Sequence, residues 1–179
     1  MARTDLSRPV DQKDHLLGEP SAPLVLVEYG DYECPSCLNA VPVVEALRDQ
    51  FGDRLAVVFR HFPQNSVHKF AGAAAQAAEA AGAQGKFWEM HKLLFKNQQR
   101  LGDIDLTHLA LGLGLDVYRF QNDAESGPTL RRIHDDIDSA TASGVYRTPT
   151  FFINGRRHDG SNDLPHLVEA LEASRGTGV

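Results

Sequence analysis

Two short stretches stand out in the hydrophobic pattern, Leu24-Val25-Leu26-Val27 and Leu55-Ala56-Val57-Val58-Phe59. Each is a continuous apolar run bounded by turn residues, the pattern of a strand buried on both faces. Between them Val41, Val44 and Leu47 recur at helical spacing over about Pro35 to Gln50, which predicts a helix ended at Phe51-Gly52 and kinked at Pro42. Strand, helix, strand within about forty residues is a βαβ unit, so the two strands are expected to be parallel with a right-handed crossover.

From Val67 to Ser143 the pattern is helical throughout. Residues 68–81 are alanine-rich and favour helix, and Gly82 and Gly85 punctuate their end. Phe87, Trp88, His91, Leu94 and Phe95 form one apolar face of the next helix. Asp105 and Asp116 are placed as N-caps of two short helices. Ser126-Gly127-Pro128 opens a further helix, whose expected buried face is Leu130, Ile133, Ile137 and Ala140, with Gly144 at its end. The chain then returns to extended structure. Asn154-Gly155 between Phe151-Phe152-Ile153 and Arg156-Arg157-His158 is a hairpin signal. Leu164, Leu167, Val168 and Leu171 mark a last helix capped near Asp163, and Ser174 to Val179 are expected to fray.

The predicted order is βαβ, a helical block, then ββα. We read residues 1–20 as an N-terminal arm, 21–66 with 144–174 as one α/β domain on a single central sheet, and 67–143 as an inserted helical domain. Prolines 20 and 23 discourage helix in the approach to the first strand.

Composition adds constraints. The chain has 179 residues, of which 42% are hydrophobic and 23% charged, ordinary for a globular protein with a sizeable core. A net charge of −6 is a poor match to phosphate backbones, so no nucleic-acid partner is expected. No apolar run reaches the length of a membrane span. Met1 to Pro20 lack the apolar segment of a signal peptide, so a cytoplasmic protein is expected, in a compartment where small thiols keep most cysteines reduced.

Only two cysteines are present, and they form Cys34-Pro35-Ser36-Cys37 at the start of the first helix. A lone C-x-x-C there suits reversible dithiol chemistry: one helical turn brings the sulfurs together, and the helix N-terminus favours a thiolate. A structural zinc half-site is the rival. Zinc takes about four ligands, and no histidine pair here has the required spacing. Trp88 and His91 read as core residues, with Trp88 packing the helical insertion. His15, His61 and His68 carry no assignment.

Five matches give the chain a family resemblance. They are Val27-Glu28-Tyr29-Gly30-Asp31-Tyr32-Glu33 running into the cysteines, the approach from Asp14-His15 to Ala22-Pro23-Leu24, the block from Ala80 to His91, Thr148-Pro149-Thr150-Phe151-Phe152-Ile153-Asn154-Gly155, and the helical insertion. Together, over roughly residues 14–173, they resemble a DsbA-like member of the thioredoxin-fold superfamily.

The resemblance implies a thioredoxin fold with a helical insertion and a thiol-disulfide oxidoreductase that needs no bound cofactor. It makes Cys34 the attacking cysteine and Cys37 the resolving one; the position of Cys34 at the helix start agrees, and that geometry is expected to give it a pKa in the range of about 3.5–7.5. Pro149 matches the family's cis-proline, which brings the Thr148 backbone beside Cys34 to pair with an extended substrate. Glu28 matches a buried acid that relays the Cys37 proton. Pro35-Ser36 lacks the histidine of the strongest oxidants, which implies a less oxidising couple. Pro35, Ser36, Thr148 and Arg147 are the expected substrate contacts. Tyr146-Arg147 stands where many relatives carry small residues, and is expected to narrow the substrates or favour an acidic one. The implied partners are protein dithiols or disulfides, or low-molecular-weight thiols, with a redox partner to recycle the pair. Two rival functions remain: a metal or iron–sulfur module using Cys34 in a dimer, and a non-catalytic peptide-binding module around Pro149.

Overall fold

The computed structural model describes residues 5–102 and 105–174; the expected fraying beyond Ser174 and the first four residues of the arm lie outside these. The elements are β1 (His15–Leu17), β2 (Leu24–Gly30), α1 (Pro35–Phe51), β3 (Leu55–His61), α2 (Ala71–Gly82), α3 (Phe87–Lys96), α4 (Leu106–Gly112), α5 (Val117–Ala124), α6 (Gly127–Ala142), β4 (Thr150–Ile153), β5 (Arg156–Arg157) and α7 (Leu164–Ser174). Residues 5–30, 39–60 and 139–174 form one compact unit; residues 31–38, 61–102 and 105–138 form another. No helix among the described residues is long and apolar enough to cross a membrane.

The first unit is built on a five-stranded sheet ordered β1-β3-β2-β4-β5. β2 and β3 are the two apolar runs of the sequence, and nearly every residue of both is buried. β2 pairs antiparallel with β4, Glu28 opposite Phe151 and Tyr29 opposite Thr150. β4 turns into β5 through Asn154 and Gly155, whose φ angles of 47° and 77° are those of a two-residue hairpin turn. At the end of β2 no side chain larger than hydrogen fits position 30: a Cβ there would lie 2.3 Å from the Phe59 ring.

The arm holds more structure than its sequence shows. His15, Leu16 and Leu17 pair antiparallel with Phe59, Val58 and Val57 and add a fifth strand. Their attachment is secured by Arg60, whose side chain is fully buried. Its Nε donates to Asp14 Oδ1 at 2.9 Å and one terminal nitrogen to Asp14 Oδ2 at 2.8 Å. The remaining donors reach the carbonyls of Arg8 (2.9 Å) and Pro9 (3.1 Å), the Tyr29 hydroxyl (3.0 Å) and the Ser139 hydroxyl (3.3 Å). Burial alone would lower the Arg60 pKa, but the hydrogen bonds and charge of Asp14 and Tyr29 outweigh it and keep the guanidinium ionised. Ser7 extends the same clasp to Ser139 and Ser143.

In the second unit α2 offers an almost unbroken alanine face, with Ala71, Ala74, Ala75, Ala77, Ala78, Ala80 and Ala81 buried, against α3, α4 and α5. Asp105 caps α4 by accepting from the Thr107 N–H, and Asp116 caps α5 by accepting from the Arg119 N–H. α2 begins at Ala71, so His68 lies in the turn before it rather than on the helix.

The buried face of α6 departs from its apolar pattern. Leu130 is 40% exposed, while Thr129, Asp136 and Ser139 are buried. Asp136 explains the shift: its carboxylate accepts from the His61 backbone N–H at 2.9 Å and from Arg132 at 2.6 Å, so a satisfied acid occupies the inner stripe. Trp88 and His91, expected in the core, are only half-buried; Met90 and Leu94 take the fully buried positions of α3.

Candidate active site

The second unit holds the cysteines. Asp31, Tyr32 and Glu33 form the loop between β2 and α1, and α1 starts at Pro35. Proline suits the first helical position, where its missing N–H costs nothing. Cys34 therefore sits at the helix N-terminus. Its carbonyl accepts from the N–H groups of Cys37 at 3.0 Å and Leu38 at 3.2 Å, which places Cys37 one turn along the helix. Cys34 is 7% exposed and Cys37 0%; Pro35 and Ser36 face solvent.

The loop is fixed by groups that its sequence did not single out. The Asp31 carbonyl accepts from the Cys34 N–H at 3.1 Å. The Asp31 carboxylate is buried and accepts three more bonds: from the backbone N–H of Glu33 at 2.7 Å, from that of Gln64 at 2.8 Å, and from His68 Nδ1 at 2.8 Å. Glu33 in turn accepts from the backbone N–H of Phe70. Gln98, buried, donates from Nε2 to the carbonyls of Tyr32 and Cys34, each at 2.9 Å. Two carboxylates and an amide thus pin the segment 31–34 to residues 64–70 and to Gln98.

Burial pushes the His68 pKa down, but the hydrogen bond and charge of Asp31, with smaller contributions from Cys34 and Glu33, hold it above the ordinary histidine value. Behind the loop lies an aromatic cluster. Tyr32 is 1% exposed, its hydroxyl bonds to His91 Nδ1 at 3.1 Å, and its ring packs 5.0 Å from Phe95. His61 Nε2 meets Glu79 at 2.8 Å, and the Trp88 ring lies 5.0 Å from His91.

The other expected site residues belong to the first unit. Glu28 is 6% exposed, near the end of β2. The Thr148–Pro149 peptide bond is cis, and Pro149, buried, leads directly into β4. The Thr150 hydroxyl donates to the Arg147 carbonyl at 2.7 Å. Tyr146 is 66% exposed, with the guanidinium carbons of Arg147 and Arg157 at 5.6 and 5.5 Å from its ring centroid. An aromatic ring flanked by two cations is a surface that would attract an anionic or apolar segment.

Asp31, His68 and Gln98 escaped the sequence reading. Asp31 was visible only as a loop residue, and nothing local marks His68 or Gln98, since each acts on a loop more than thirty residues away. Among the described residues no group of three or more His, Cys, Asp or Glu side chains is gathered so as to hold a metal ion.

Comparison with known proteins agrees with this architecture. The chain is 47% identical over 173 residues to the Na(+)/H(+) antiporter NhaA 1 of Mycobacterium sp. (strain KMS), and 47% identical over 171 residues to NhaA 1 of Salinispora arenicola (strain CNS-205). These matches take in 95% of this chain but span only 28% and 26% of those relatives. Among solved structures, a thioredoxin-like oxidoreductase from Silicibacter pomeroyi DSS-3 superposes with a TM-score of 0.80 at 26% identity, covering 94% of this chain and 95% of that one. Oxidised BdbD from Bacillus subtilis shares the fold with a TM-score of 0.81 at 22% identity, over 97% of this chain and 99% of its own. DsbA2 of Pseudomonas aeruginosa gives 0.73 at 25% identity, over 93% and 96% of the two chains. The thioredoxin family model matches residues 11–173, so the chain belongs to the thioredoxin family, in the DsbA-like form of its fold.

Proposed function

We propose that this chain is a thiol-disulfide oxidoreductase whose working pair is Cys34 and Cys37. The observation that carries the reading is the placement of the pair: Cys34 at the N-terminus of a 17-residue helix, Cys37 one turn inside and fully buried. The helix end favours negative charge on the first sulfur, and burial of the second reserves it for an internal attack. The oxidoreductase from Silicibacter pomeroyi, alike over nearly its whole length, supports the same chemistry.

In the reductive direction the Cys34 thiolate attacks one sulfur of a substrate disulfide. A Cys34–substrate disulfide forms as the substrate's own bond breaks, and the second substrate sulfur leaves as a thiolate. Cys37 then loses its proton and attacks Cys34, forming the internal disulfide and releasing the substrate's first sulfur as a thiolate. We assign the proton from Cys37 to Glu28, a buried acid near the end of β2. Run backwards, the same steps oxidise a dithiol. Substrates are protein dithiols and disulfides or small thiols, met by Pro35, Ser36 and the Thr148 backbone, and a second redox protein or thiol restores the pair.

The test is an equilibrium redox titration of the pair in glutathione and dithiothreitol buffers, read by thiol alkylation. One two-electron transition is expected. A midpoint below about −250 mV identifies a reductase, and one near or above about −200 mV an oxidase or isomerase. A pair that never forms an internal disulfide rejects the reading.

Arg147, beside Tyr146 and one residue before Thr148, is assigned to substrate choice. Arg147→Gly is expected to slow exchange with an acidic peptide disulfide about tenfold, while a neutral small disulfide reacts as before. Equal rates for both substrates in both proteins remove Arg147 from this role.

A further inference from the structure

The spacer between the two cysteines, Pro35-Ser36, carries no charge, so any cation that stabilises the Cys34 sulfur must come from elsewhere in the chain. Within the unit that holds Cys34, the turn before α2 is clamped against the cysteine loop at two points. Asp31 takes the Gln64 N–H and His68 Nδ1 on one oxygen, both at 2.8 Å. Glu33 takes the Phe70 N–H. The residue that orients the His68 ring is thus the residue whose carbonyl holds the Cys34 N–H. The His68 side chain is 22% exposed while the Asp31 carboxyl is 0% exposed, so the ring sits between a buried anion and solvent.

We infer that His68, carried as an imidazolium by Asp31, is a positioning residue that supplies the positive charge holding Cys34 as a thiolate. This rests on the dithiol reading above and adds to it the source of the thiolate. His68 forms no bond and transfers no proton in either exchange step; its charge acts across space. Burial opposes the protonated ring, and Asp31, Cys34 and Glu33 favour it, Asp31 most strongly. Asp31 keeps the proton on when Cys34 is neutral or oxidised. Thiolate formation at Cys34 then tightens it further, and by linkage the ring tightens the thiolate equally.

Thiolate absorbance of the reduced protein against pH, with alkylation at Cys34 followed by mass spectrometry, reads the effect. His68→Gln keeps a donor for Asp31 and removes the charge. It is expected to raise the Cys34 midpoint by about one pKa unit, a tenfold loss of thiolate below the midpoint. His68→Arg, which restores a cation, is expected to recover most of that loss. A ring that merely braces Asp31 predicts no shift for His68→Gln, and that result overturns the inference. A second measurement needs no folded variant at position 68. The His68 ring, titrated by NMR, is expected to have a higher midpoint in reduced than in oxidised protein, and identical midpoints also overturn the inference. Should the pair never form a disulfide, Cys34→Ser protein replaces the oxidised form. The exchange reading would then fail while the charge on Cys34 remained measurable.

Discussion

Cys34→Ser is expected to abolish disulfide exchange, whereas Cys37→Ser is expected to arrest it with substrate attached. The two outcomes differ because the sulfurs have different surroundings. Cys34, 7% exposed at the helix N-terminus against 0% for Cys37, is the cysteine placed to meet substrate, and a serine hydroxyl there has no thiolate to offer. Cys37 is fully buried, so no bulky disulfide reaches it and its task is the internal attack. Without it, each chain retains one substrate through Cys34. Non-reducing mass spectrometry should show one adduct per chain in Cys37→Ser and none in Cys34→Ser. Glu28→Gln is expected to form the same adduct at the normal rate and release it about a hundredfold more slowly, the scale of a lost proton acceptor. Turnover surviving Cys34→Ser would end the proposed mechanism, and normal release in Glu28→Gln would take Glu28 out of it.

The second large effect is on stability. Arg60→Met is expected to cost about 3–5 kcal/mol, because it leaves the Asp14 carboxylate buried without its principal partner. For a chain of this size that corresponds to a fall in Tm of roughly 10 °C. The loss extends beyond one ion pair, since Arg60 also serves the carbonyls of Arg8 and Pro9 and the hydroxyls of Tyr29 and Ser139. Replacing Asp14 together with Arg60 by apolar residues should restore part of the deficit, as a buried pair costs less to remove than to break. Urea unfolding of the single and double variants measures both terms. A single-variant loss below about 1 kcal/mol would show that the clasp contributes no more than an exposed salt bridge.

The sequence was legible where local signals and the tertiary fold agree. β2, α1 and β3 follow from two apolar runs and a helical period, and the Asn154-Gly155 turn and the Asp105 and Asp116 caps follow from chemistry local to a few residues. The cysteine pair was legible because no other cysteine competes with it. β1 was not, since three residues at a sheet edge leave no period to read. The buried face of α6 was misread at Leu130 because Asp136 is drawn inward by the His61 N–H, a partner 75 residues away. His68 was invisible for the same reason: its significance comes from Asp31, 37 positions earlier.

The strand order has a consequence for synthesis. β2, complete at Gly30, takes β4 as one of its two neighbours, and β4 begins only at Thr150. While the chain grows, more than a hundred residues must be made before that side of β2 is paired. Until then its unpaired backbone groups form an open sheet edge on an apolar strand, the kind of surface that recruits other chains. The closure of so long a loop is also slow, because its entropy is lost before any pairing repays it. A ribosome-bound chain ending before Thr150 therefore carries its aggregation hazard at β2, and its release from that hazard waits on a strand that starts more than a hundred residues further along the chain.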